Sequence, residues 1–354
     1  MPKVQRNFSM QQYWERIAQD WQPLLRFGGR TQEDWRAWRE QAYPKYLELL
    51  GAFPQAVPLE AEVEYSIEDG DLIRERVVFQ AEEHMSVPCL VLRPKDMKAD
   101  GSNPAIVCSH GHGPYGKDPI MGVRSSPTHV ADIGQMNYNY GEQMARAGYL
   151  TIAADLRAFG ERADPWRHTM PGDSYCDAEF IKGALLGIYM LTLNIWDMKR
   201  CLDYLETRPE VDKNRLGMMG LSQGGTMTTF TSAADERIKA ADIICYVNPW
   251  GEFGVKQWMN LCGSQLVPAI YRYLDTDDIA GLIAPRPLLM EMGIYDDCFL
   301  IKDTLKGYEG VKRIYEAAGV PDRLWADIFP GPHAWGANKS VEFFGKYLQS
   351  AARP

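Results

Sequence analysis

Hydrophobic and polar positions alternate along this chain in three successive rhythms. Residues 9 to about 50 carry helical spacing. In "TQEDWRAWREQAYPKYLELLG", Thr31 stands where a helix cap belongs and Glu33 and Asp34 place negative charge in the first turn. Trp35 and Trp38 are three apart and share a face, and Gly51 and Pro54 close the segment. From about residue 59 the rhythm shortens. "AEVEYSI", "LIRERVVFQ" and "VPCLVLRP" are β-branched runs separated by turns, the pattern of an antiparallel meander.

From residue 104 strand and helix signals alternate. "PAIVCSHG", "LTIAADLR", "RLGMMG", "IKAADIICYV", "RPLLMEMG" and "LWADIFPG" read as strands, with helical stretches between them and a last helix in "KSVEFFGKYLQ". This grammar predicts an α/β fold: a mixed, mostly parallel central sheet with helices on both faces. The expected organisation is a helical N-terminal extension over 1–58 and one catalytic domain over 59–354. Cap or lid insertions are expected at about 160–190 and 248–280. Four tryptophans (Trp14, Trp21, Trp35, Trp38) mark the extension as an arm that docks on its own core or on a second copy. Self-docking is the primary expectation, and a homo-oligomer through the arm is the alternative.

Composition narrows the function. With 45% hydrophobic and 24% charged residues, the 354-residue chain has the make-up of a soluble globular protein. A net charge of −9 and the lack of a basic run argue against a nucleic-acid partner. The N-terminus has no apolar signal core, and no apolar run reaches the ~18 residues of a membrane span. A cytoplasmic location without membrane association is the expectation. The seven cysteines are scattered without a CxxC pair, so the sequence suggests neither a disulfide framework nor a zinc site.

The chemistry centres on "GLSQGG". Ser222 lies between glycines at 220 and 224, after the strand "RLGMMG" and before a helix starting near Gln223. In a parallel sheet, functional residues gather where the strands end. A serine in a sharp strand-to-helix turn presents its hydroxyl outward, beside the unpaired amides of a helix start. Its hydroxyl is a poor nucleophile unless a base takes the proton. Of the six histidines, His84 falls in the meander, and His129 and His168 fall in long loops. His333, in "GPHAWG", follows the last strand and lies at the same sheet end as Ser222. A carboxylate to orient it is expected between the two: Asp296, three residues past Gly293, with Asp297 in reserve. Glu291 lies inside the strand. For an oxyanion, donors are expected at the backbone N–H of Gln223 and at His112 in "IVCSHGHGPYG", with Gly113 as alternate. His110 and His112 have the spacing of a metal pair but no carboxylate or cysteine cluster beside them in sequence. No metal and no organic cofactor is expected.

"GLSQGG", the "HGHG" loop, "AADLRAFGE" and "DMKRCLDYLETRPEVDKNRLGMMG" together resemble the α/β-hydrolase superfamily. Within it they look like the dienelactone-hydrolase-like and acetyl xylan esterase-like branch, including the cephalosporin C deacetylases. The resemblance covers about residues 60 to 350 and leaves the arm outside. It implies an α/β-hydrolase fold with Ser222 as nucleophile, Asp296 as acid, His333 as base, and Gln223 and His112 as oxyanion donors. Arg157 matches a family arginine that braces loops near the site. Dienelactone hydrolases carry cysteine where this elbow has serine, which sets their particular reaction apart from this chain.

The expected activity is hydrolysis of a small carboxylic ester, such as an acetylated carbohydrate, through an acyl-enzyme. The rival readings are a serine peptidase of the prolyl-oligopeptidase type and a non-catalytic binder on the same fold. A lead of about a hundred residues before the parallel strands is too short for a propeller, which weighs against the first, and a complete serine, acid and base set weighs against the second. Tyr115, Trp250, Trp258, Tyr295 and Trp335 flank the expected catalytic loops and are the positions from which a substrate-binding wall is expected.

Overall fold

In the computed structural model, which describes residues 6–164, 175–257 and 261–349, the strand segments form one nine-stranded sheet. The strands are β1 (Glu62–Asp69), β2 (Leu72–Glu82), β3 (Met85–Pro94), β4 (Asn103–Ser109), β5 (Leu150–Ala154), β6 (Val211–Leu221), β7 (Ile238–Ile244), β8 (Leu288–Gly293) and β9 (Leu324–Phe329). Their spatial order is β1-β2-β3-β5-β4-β6-β7-β8-β9. β1 to β3 form the antiparallel meander, β3 joins β5 antiparallel, and every later pair is parallel. This is the mixed, mostly parallel sheet that the sequence grammar predicts, in the α/β-hydrolase fold that the family resemblance implies.

Twelve α-helices accompany the sheet among the described residues. In chain order they are α1 (Met10–Gln19), α2 (Gln32–Leu50), α3 (Lys117–Ile120), α4 (Pro127–Met136), α5 (Tyr140–Arg146) and α6 (Tyr175–Leu186), followed by α7 (Met190–Thr207), α8 (Gln223–Ala234), α9 (Ile270–Tyr273), α10 (Thr276–Gly281), α11 (Ile301–Ala317) and α12 (Ser340–Phe344). Helices on both faces bury the inner parallel strands, while β9, at the sheet edge, stays partly exposed. All the residues of β5, β7 and β8 except Lys239 are buried, and β6 is buried over its last six residues. That explains their continuous apolar runs. β1, the opposite edge strand, is the most exposed: "EVEYSIED" carries charge on its open face, as an unpaired sheet edge requires.

The N-terminal segment is two helices rather than one, because residues 20–31 cross the surface in non-helical form. Thr31 caps α2 in a reciprocal box: its hydroxyl accepts the Asp34 N–H, and the Asp34 carboxylate accepts the N–H of Thr31. Trp38, Ala42, Tyr46 and Leu50, each four residues on from the last, form the buried stripe of α2. They belong to the same core cluster as β4, β6 and β7, so the arm docks on its own chain. The Tyr46 hydroxyl donates to the Phe230 carbonyl of α8 at 2.6 Å. Arg26 pairs with Asp277, and Asp278 accepts the N–H of Phe27 at 3.0 Å. The outermost helix is different: α1 buries none of its residues. Among the described residues no single helix is long and apolar enough to cross a membrane.

Candidate active site

Ser222, the residue after β6, sits at φ 63° and ψ −117°. A side chain at positive φ is strained, and the strain is held by neighbouring backbone. The Ser222 N–H donates to the Ile244 carbonyl at 3.0 Å, and its carbonyl accepts the Thr226 N–H at 2.9 Å. The flanking glycines allow the turn to close. A Cβ on Gly220 would lie 2.6 Å from the carbonyl oxygens of Gly224 and Ser109, and one on Gly224 would overlap the Ser109 carbonyl. Only bare backbone fits between β4 and β6 here, which is the physical content of the glycine spacing.

His333 and Asp296 arrive from the next strand ends. β7, β8 and β9 continue outward from β6, and cross-links at their ends carry the register into the loops: Cys245 N–H to the Glu291 carbonyl at 2.9 Å, and Ile294 N–H to the Phe329 carbonyl at 3.0 Å. The His333 imidazole meets Asp296 through Nδ1 and Oδ2 at 2.8 Å. The other Asp296 oxygen accepts the N–H groups of Cys298 and Phe299, both at 2.8 Å. Asp296 is buried and Asp297, beside it, is exposed, so the geometry separates the two carboxylates that the sequence leaves open. Phe299 stacks on the His333 ring at 5.6 Å.

The loop after β4 closes over the elbow. A Cβ on Gly111 would come within 3.2 Å of the Ser222 Cβ, which places this loop against the serine. The Gly111 N–H donates to the Tyr138 hydroxyl at 2.6 Å, fixing the loop before it reaches His112. His110 is committed to structure. Its Nδ1 lies 2.7 Å from the Gly111 carbonyl, its Nε2 accepts the Leu156 N–H at 2.9 Å, and burial pushes its pKa down to about 4. With both ring nitrogens used, it forms no metal pair with His112. The His112 side chain instead meets Cys262. Gln223 begins α8, where first-turn N–H groups have no helical acceptor, and its side-chain amide donates to the Ser264 carbonyl at 3.2 Å.

A cavity of about 290 Å³ adjoins this loop, lined by Gly111, His112, Gly113, Tyr115, Asp132 and Tyr138 among others. Tyr115 is the one expected aromatic found on it, half-buried and edge-on to His129 at 4.4 Å. Trp250 and Trp335 correct the sequence reading. Trp250 belongs to the main core cluster, because its segment turns inward where Asp275 accepts its N–H at 2.8 Å. Trp335 is buried on the opposite sheet face, its indole N–H shared between Glu291 at 3.1 Å and Ser340 at 2.9 Å. Tyr295 is exposed at 69% on the surface beside Asp296. Trp258 lies outside the described residues, as does His168. His129 is on α4, not in a loop, and is buried.

Several contributors were not evident in the sequence. Cys245, the residue after β7, sits at φ 49° with its thiol near both Asp296 and His333. Burial first, and then the Asp296 charge, pushes that thiol up, keeping it protonated. Its place at a strand end was a readable signal. Tyr138 had none. Glu291, inside β8, accepts the Gly336 N–H at 2.9 Å and the Trp335 and Ser340 donors, so it anchors the loop that carries His333. Arg157 braces the loop after β5: its guanidinium bonds both oxygens of Asp197 at 2.9 Å, and Glu82 pairs with it at 2.7 Å.

Comparison with known proteins agrees with this architecture. The sequence model of the Abhydrolase family matches residues 3–330. The match includes the N-terminal arm, which the motif resemblance had left outside, and stops three residues short of His333. YtaP of Bacillus subtilis (strain 168), a hydrolase by name, is 27% identical over 289 residues, covering 80% of this chain and 90% of YtaP. Among solved structures, one assigned as an acetyl xylan esterase from Bacteroides fragilis NCTC 9343 superposes with a TM-score of 0.76 at 18% identity, over 92% of this chain and 84% of its own. A glucuronoyl esterase from Solibacter usitatus gives 0.63 at 16% identity, over 87% of this chain and 92% of its own. At such identities the likeness is one of fold.

Proposed function

We propose that this chain, which belongs to the Abhydrolase family, is a serine carboxylic-ester hydrolase that works through an acyl-enzyme. The observation that carries the reading is a strained strand-end serine at the same sheet end as a part-buried His333–Asp296 couple. In this mechanism Ser222 attacks the ester carbonyl and His333 takes its proton. Asp296 holds the imidazole with Nε2 free to act and balances the positive charge that forms. The N–H groups of Gln223 and His112 receive the oxyanion, and losing one such donor typically raises the barrier by about 3 kcal/mol. His333 then passes its proton to the leaving alcohol, water repeats the sequence on the acyl group, and the acid departs.

Several structural neighbours are carbohydrate esterases by name, which supports an acetylated or otherwise esterified carbohydrate as the substrate class. The test compares wild type with Ser222→Ala. Both are exposed to a fluorophosphonate probe and then assayed on acetyl, longer acyl and sugar-acetate esters. Labelling and short-ester turnover confined to wild type are expected. A wild-type protein that neither labels nor cleaves any ester sinks the reading.

A further inference from the structure

Three thiol and imidazole side chains that no sequence motif connects meet beside the oxyanion loop. His112 Nε2 lies 3.0 Å from Cys262 Sγ and 3.8 Å from Cys176 Sγ, and the three ligand atoms all lie within 4.8 Å of one another. The residues come from three separate elements: the loop after β4, the start of α6, and the turn at Gly263–Gln265. Both cysteines are buried, while His112 reaches solvent. The arrangement is held from behind. The Gly263 N–H donates to Asp177 at 2.7 Å, fixing α6 to the turn, and Gln265 accepts the Cys262 N–H at 3.1 Å.

We propose that His112, Cys176 and Cys262 form a binding site for a thiolate-preferring divalent cation of the Zn²⁺ type. In a tetrahedral Zn²⁺ site, bonds of about 2.0–2.1 Å to nitrogen and 2.3 Å to sulfur put neighbouring ligand atoms about 3.5 Å apart. The two observed nitrogen–sulfur separations, 3.0 and 3.8 Å, bracket that edge, and the sulfur–sulfur edge is within 4.8 Å. One imidazole and two thiols select zinc-like ions over Mg²⁺ or Ca²⁺, which need oxygen ligands. Three protein ligands leave a fourth position for water, and the exposed edge of His112 provides the way in. Binding converts both thiols to thiolates and releases two protons to solvent.

The consequence follows from what the ligands are attached to. His112 belongs to the loop against Ser222, and the Ser264 carbonyl beside Cys262 holds the Gln223 side chain. A bound ion would therefore tie α6 to both sides of the oxyanion region and restrain the loops that admit substrate. The site is a metal-operated brake on ester turnover. That effect rests on the esterase reading, whereas binding itself does not.

The experiment titrates the reduced full-length protein with Co²⁺ as a spectroscopic stand-in, then displaces it with Zn²⁺. One equivalent should produce the near-ultraviolet thiolate-to-cobalt charge-transfer band. Cys262→Ser and His112→Ala should each weaken binding by about ten-fold or more, and Cys298→Ser should leave it unchanged. Absence of the band in wild type, or a band that persists undiminished in both variants, overturns the proposal. The second result would put the ion elsewhere. In a parallel assay Zn²⁺ should slow wild-type turnover and spare Cys262→Ser. Equal inhibition of both overturns the brake even if the ion binds.

Discussion

Oδ2 of Asp296 meets Nδ1 of His333 at 2.8 Å, while the other oxygen of the same carboxylate is held by two backbone N–H groups. The carboxylate therefore has one free direction, and it points at the imidazole. Asp296→Asn should leave the fold intact and cut kcat by about 10³–10⁴-fold, because the amide can stabilise the wrong ring tautomer. Asp297→Asn, on the exposed neighbour, should leave kcat unchanged. Steady-state kinetics on a short-acyl ester distinguishes the two. Equal losses would mean that Asp296 does not act through His333.

Gly224 tests the elbow by packing alone. A methyl group there overlaps the Ser109 carbonyl at the end of β4, which backbone hydrogen bonds hold in place. Gly224→Ala should destabilise the protein by about 1–3 kcal/mol, the usual cost of overpacking. It should also lower fluorophosphonate labelling, because β4 and β6 must part to make room. Unchanged thermal stability in calorimetry would contradict the close approach.

Tyr46 tests whether the arm supports the catalytic helix. Its hydroxyl is buried and donates to the Phe230 carbonyl, and burial holds its pKa well above the usual tyrosine range. Tyr46→Phe removes this second bond to a helix carbonyl and should cost about 0.5–1.5 kcal/mol. The loss should appear as a lower urea midpoint at unchanged slope, with kcat preserved well below the transition.

Glu291 gives the stability a pH dependence. Burial, then the nearby Asp327 charge, raises its pKa to about 7, against about 4.3 when unfolded. Above pH 4.3 the unfolded chain releases this proton while the native chain keeps it. The folded state then binds more protons, and stability falls as pH rises from about 4.3 to 7. The loss attributable to this group is up to about 4 kcal/mol. Glu291→Gln should flatten that part of the stability curve relative to wild type. Urea unfolding at several pH values measures the difference, and parallel curves would refute it.

Much of the architecture was legible because period and punctuation agreed. The alternation after residue 104 gave the parallel sheet, and Ser222, Asp296 and His333 each fall at a strand end the pattern had marked. The aromatic wall was not legible. Trp250 and Trp335 share with Tyr115 a place in loops near the site, but the direction of a loop side chain depends on contacts distant in sequence, such as those of Asp275 and Glu291. The His112, Cys176 and Cys262 cluster was hidden for the same reason: its members lie 64 and 150 residues from His112, and only the fold joins them.

The Tyr46–Phe230 contact also has a bearing on synthesis. The two residues are 184 positions apart, so the stripe of α2 emerges from the ribosome long before α8 exists to cover it. At translation rates of about 5–20 residues per second, that interval is roughly 10–40 s. For that time Trp38, Tyr46 and Leu50 are an uncovered apolar ridge on a nascent chain. The segment that later braces the helix behind Ser222 is thus among the last to find its cover.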